Sequence, residues 1–124
     1  MAKFKPHRQA SHLLRIIAWS SMALYAVGSP TALATGFASA GSISNIISEQ
    51  GGVLFFIQHG TRTDRPACAT LDRWVINVNT PSGQTMAAAL MMAYSMHKQV
   101  EIHGTGSCPD WGDTETVDYF QIAN

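Results

Sequence analysis

The chain has 124 residues with eight basic and eight acidic side chains, a formal net charge of zero that hides an uneven distribution. Lys3, Lys5, Arg8 and Arg15 come before any acid, whereas the part after residue 40 holds four basic against eight acidic residues, a net charge of −4. A chain this long holds one small core, which excludes a large cofactor-binding fold. The acidic part, with only Arg62, Arg65, Arg73 and Lys98, excludes a polyanion-binding domain of the usual basic kind.

In chain order, the basic start leads into residues 16–27, a largely apolar run that fits the core of a secretory signal peptide and falls short of the about 20 residues a spanning helix needs. Gly28, Ser29 and Pro30 then break the helical pattern, and two small-residue sites follow, Ala32-Leu33-Ala34 and Ala38-Ser39-Ala40. The expected signal peptide is therefore 1–34, with the second site at 40 left open, and 35–124 is a single small exported domain, periplasmic or secreted. An uncleaved N-terminal anchor is the alternative. Export makes a disulfide the natural state of Cys68 and Cys108. Closing that loop removes denatured-state entropy equivalent to about 4 kcal/mol in the chain-entropy treatment. A redox pair lacks the Cys-x-x-Cys spacing, and metal ligation with His59, His97 or His103 matches no zinc pattern, so no metal or cofactor is expected.

Beyond residue 40 the pattern predicts a short β-branched strand at 43–47, a turn at Gly51-Gly52, and a strand at 53–59 that is apolar on both faces. A polar loop follows at 60–68. Residues 73–78 alternate, which puts Trp74, Ile76 and Val78 inward and Arg73, Val75 and Asn77 outward. Thr80 before Pro81 is a helix start, with Ser82 as the alternative cap. The helix is expected to run to about His97, with Met86, Ala89, Leu90, Ala93, Tyr94 and His97 on its buried face and His97 and Lys98 as cations at its negative end. Its other face, with Ala87, Ala88, Met91, Met92 and Ser95, is free of charge. Either a neighbouring subunit or the chain's own loops must cover it. Residues 99–103 alternate again, a turn-rich loop spans 104–114, and a last strand covers 115–122.

The element order β-β-β-α-β-β gives a mostly β fold with one helix, and it is the order of the OB-like five-stranded barrel, stapled here by one disulfide. The aromatic pair Phe55-Phe56, the stretch 66–69 around Cys68, the following Trp74 and the helix exit 93–102 add a resemblance. Through these residues the chain resembles the binding subunits of the subtilase-cytotoxin and typhoid-toxin group, secreted bacterial OB-fold proteins. The resemblance implies a ring of five subunits that holds glycans at shallow surface pockets while a separate enzymatic subunit docks on it. None of that family's glycan-contact residues is matched here, and Cys108 with Trp111-Gly112-Asp113 is a departure from its pattern.

For binding, the segment 110–115 is the most informative, because it sets Trp111 among the carboxylates Asp110, Asp113 and Glu115. An aromatic plate with nearby hydrogen-bond acceptors suits a sugar. The same residues would also serve if Trp111 merely folded back on the barrel end and Asp113 capped the turn. Calcium would find hard oxygen ligands here, without the regular spacing of an EF-hand. The disulfide draws this loop toward Arg62, Asp64 and Arg65, so Trp111, Asp113, Arg62 and Glu115 form the candidate ligand set.

Catalysis has little support. No G-x-S-x-G, H-E-x-x-H or phosphate loop is present, His59 and His103 merely end strands, and a Glu101 and Asp118 pair reads as surface. Net charge −4 speaks against nucleic acid. Two readings remain: a non-catalytic binding module for a glycan or protein, a homo-oligomer through Met91 and Met92, and a monomeric periplasmic structural or inhibitor-like protein with one dedicated partner.

Overall fold

The computed structural model describes residues 34–124, so the expected signal peptide lies outside the described residues apart from its last one, Ala34. Seven strands and one helix follow in the order β1 (Phe37–Gly41), β2 (Ile43–Glu49), β3 (Val53–Gln58), β4 (Arg62–Thr63), β5 (Trp74–Asn77), α1 (Pro81–Ser95), β6 (Val100–Gly104) and β7 (Glu115–Ile122). The mostly β class, the single helix and the Cys68–Cys108 disulfide are as the sequence predicts.

The expectation of a closed five-stranded barrel is corrected. The strands form one open sheet in the order β2-β3-β5-β7-β6-β1-β4, with no ladder between its two terminal strands. All neighbours are antiparallel except β5 and β7, which pair in parallel over Trp74↔Glu115 and Val75↔Thr116. One of the two extra strands, β1, arises because the sequence around residue 40 is more ordered than its small residues suggest. β1 lies on β6, with Ala38 opposite Ile102, while β2 lies on β3 and only Ser42 separates the two. The two-residue β4 adds an edge on β1.

The core gathers Ala38, Ile43, Leu54, Phe56, Trp74, Ile76, Val100, Ile102 and Val117 from the strands and Leu90 and Ala93 from the helix. Burying one such large aliphatic or aromatic side chain contributes about 1.5–3 kcal/mol, so these residues hold the sheet to its helix. Val100 and Ile102 point inward as their alternation requires. Val75 does not point to solvent as expected. It is fully buried in a second, smaller cluster with Val53 and Phe55 on the other face of the sheet, beneath the 110–114 segment.

The helix starts as the sequence predicts: Thr80 is extended and its Oγ1 accepts a hydrogen bond from Gly83 N at 3.0 Å, with Pro81 in the first turn. It ends earlier than expected, at Ser95. His97 sits at a φ of 52°, in the left-handed region, so His97 and Lys98 lie beyond the last turn. Tyr94, expected on the buried face, is exposed. Among the described residues no helix is long and apolar enough to cross a membrane.

Candidate functional site

The four candidate residues divide between the two faces of the sheet. Glu115, at the start of β7, is fully buried. Its Oε1 accepts from Gly36 N at 2.8 Å and Gly106 N at 2.9 Å, and its Oε2 accepts from Arg62 Nη2 at 2.8 Å. Arg62 lies over the face of Trp74, 3.8 Å from the ring centroid, and donates through Nη1 to the Arg73 carbonyl at 3.2 Å. Burial pulls the guanidinium below its usual pKa, with the Glu115 hydrogen bond and charge acting in the opposite direction. Two close approaches make room for the carboxylate, because a Cβ at Gly36 or Gly104 would overlap it. Arg62 and Glu115 are therefore interior groups that tie β1, β4 and the 104–107 turn together. Glu115 is closed off from the surface, while Arg62 is mostly covered and comes within 3.8 Å of the exposed Asp72 through Nη1. Glu115 also turns away from Asp110 and Asp113, so the three carboxylates do not converge on a cation.

Trp111 and Asp113 stand on the outer face. Trp111, 38% exposed, meets Phe55 edge to face with ring centroids 5.1 Å apart. Arg73 lies over the same Phe55 ring, 4.1 Å from its centroid. Its Nε donates to Thr114 Oγ1 at 2.9 Å and its Nη2 to Asp113 Oδ1 at 3.1 Å. The Thr114 hydroxyl donates to the same Asp113 oxygen at 2.6 Å, and these contacts, Thr114 first and Arg73 after it, hold the Asp113 carboxyl below its usual value. Asp110 anchors the segment from the other side, accepting from Asn77 Nδ2 at 2.6 Å and Thr116 Oγ1 at 2.7 Å. The turn closes through Thr114 N to Trp111 O at 3.0 Å.

Beside this arrangement lies an apolar cavity of about 310 Å³. Ile47, Phe55, Ile57 and Leu71 wall it, with Asn45, Asp72 and Arg73 at the polar edge. Ile47 and Leu71 are themselves exposed, so the cavity opens to solvent. The disulfide and a hydrogen bond from Leu71 N to Asp113 O at 3.2 Å join the loop that carries Leu71 to the one that carries Trp111. The sequence puts the two loops together and identifies Trp111 and Asp113. It does not single out Arg73, Phe55 or Leu71. An arginine directly before an alternating strand, facing outward next to an exposed leucine, was the signal available.

Two further pairings appear. Ser44 Oγ and His59 Nε2 are 2.6 Å apart in an exposed position, and among the described residues no carboxylate bonds the other ring nitrogen. His103 stacks on Tyr119 at 4.3 Å and meets Phe37 edge to face. Met91 and Met92 are exposed on α1. Among the described residues no group of three or more metal-ligating side chains assembles.

Compared with family profiles, curated proteins and solved structures, the chain matches none.

Proposed function

We propose that the protein is an exported, non-catalytic binding module whose ligand surface is the outer face of the sheet at Trp111, Phe55, Arg73 and the adjoining cavity. The observation that carries this reading is the open apolar cavity with a half-exposed tryptophan at its side and a rim of Asp72, Arg73 and Asn45. Such a surface takes a ligand with one apolar face and hydrogen-bonding groups around it, a glycan or a protein patch. The interior placement of Arg62 and Glu115 narrows the set to Trp111, Asp113 and Arg73.

Export rests on the 16–27 run and gains support from the disulfide. Removal of 1–34 leaves Gly36 to bind Glu115 and Ala38 to fill the core, whereas a cut after Ala40 takes both away. Mass spectrometry of the exported protein is expected to find Thr35 at its start, and Gly41 there would overturn that assignment.

The ligand surface is tested with glycan and peptide arrays probed by the wild type and by Trp111→Ala. Loss of at least about tenfold in affinity, in a variant that still unfolds cooperatively, is the expected result. An intact variant that binds as the wild type does would place the ligand elsewhere.

A further inference from the structure

A second surface lies at the free edge of β7. Along the β6 ladder, Ala123 N donates to Gln99 O at 2.8 Å, and the register pairs Glu101 with Gln121 and His103 with Tyr119 in the same phase. In an antiparallel ladder the alternate pairs turn their backbone groups away from the partner. The N–H and C=O of Phe120 and Ile122 therefore point to the side opposite β6. On that side β5 reaches only as far as Thr116, so among the described residues no strand pairs with the second half of β7.

A groove of about 380 Å³ runs along this edge. Thr85, Met86 and Ala89 of α1 form one wall, and Tyr119, Phe120 and Ile122 form the other. Tyr119 and Phe120 project to opposite faces of the sheet, so the groove follows the edge itself rather than either face. No charged residue lines it, and none occurs anywhere in α1.

We propose that this edge takes an extended, uncharged segment of a partner protein as an added strand. Unpaired backbone donors and acceptors select an extended chain. Apolar walls above and below the edge select apolar side chains on both of its faces, and the absence of charge excludes a charged insert. A second copy of the chain fits less well. The terminal strands of the sheet are β4, with two residues, and β2, which breaks register between Ser44 and Ile47, holds Asn45 at a φ of 49° and ends in Glu49. Neither offers a straight uncharged edge. This site is separate from the Trp111 surface and does not depend on it.

The test uses the oxidised protein expressed from its full sequence. The probe is a set of immobilised nonapeptides with Val, Ile, Leu or Phe at consecutive central positions, so that both faces of the strand are apolar, and Ser or Thr at the ends. Some members are expected to be retained, with the amides of Phe120 and Ile122 gaining protection from hydrogen exchange when they bind. Ile122→Pro removes an outward N–H that the β6 ladder does not use, and Ala89→Arg puts a charge in the groove. Each is expected to weaken retention at least about tenfold at unchanged melting temperature, while Trp111→Ala leaves it as it is. The proposal is overturned if no peptide is retained, or if retention leaves those two amides unprotected. It is equally overturned if light scattering shows a stable oligomer in which they are protected without peptide, since the occupant would then be a second copy.

Discussion

Two arginines stack on two aromatic rings on opposite faces of the sheet, and each pairs with a carboxylate. Arg62 covers Trp74 and binds Glu115 in the interior, while Arg73 covers Phe55 and binds Asp113 at the surface. The chemistry is the same and the environments are not. Inside, the Glu115 oxygens are taken by two backbone amides and a guanidinium, so that removing either partner strands a buried charge. Outside, both partners of the pair keep part of their surface in water, where an ion pair contributes little to stability and its groups stay within reach of a ligand. Burial, rather than residue type, separates the pair that holds the fold from the pair left accessible at the surface.

The largest effect is expected from the strand that the interior pair holds down. A chain beginning at Gly41 lacks the Gly36 amide and the Ala38 side chain, and it is expected to lose cooperative unfolding in a thermal melt. One beginning at Thr35 should retain it. Next comes the disulfide, since Cys68→Ser with Cys108→Ser releases the constraint that holds the two outer loops. The expected loss is about 2–4 kcal/mol, read from urea unfolding of the oxidised protein and the variant. Gly104→Ala sharpens the comparison further, because its methyl group meets the Glu115 carboxylate and nothing on the outer face. Overpacking of this kind costs about 1–3 kcal/mol, and it should leave array binding intact in the fraction that folds.

The smallest effect concerns acid. Asp113 has a lowered pKa in the folded protein, so it holds a proton less tightly there than in the unfolded chain. Its contribution is present above the unfolded value of about 3.9 and is lost as pH falls through the lower folded value. Asp113→Asn should therefore lower the neutral side of a plot of urea midpoint against pH slightly and rejoin the wild type at the acid end, which flattens the slope below about 4.

Much of this arrangement is legible in the sequence because it follows local rules. Alternation reveals Trp74, Ile76, Val100 and Ile102, and the Thr80-Pro81 pair sets the start of the helix. β1 is hidden because its Phe-Ala-Ser-Ala-Gly stretch reads as a peptidase site, and only its pairing with β6 makes it a strand. Glu115 is hidden for a related reason. A carboxylate at the start of a strand reads as solvent-facing, and its partners are two glycine amides and an arginine 53 residues away, which no periodicity displays. The second face of the sheet shows the same limit, since Val75 alternates as an outward residue until the tryptophan segment covers it. The early helix end has its own cause: Met96 caps the helix through bonds to Met92 and Tyr94 carbonyls, and His97 then turns left-handed.

The division of labour between the two arginine pairs is tested most directly by urea unfolding of Glu115→Gln beside Asp113→Asn at neutral pH. Leaving Arg62 without its buried partner is expected to cost about 3–5 kcal/mol, whereas Asp113→Asn should lower the midpoint only slightly. Equal losses in the two variants, or a Glu115→Gln protein as stable as the wild type, would contradict the account.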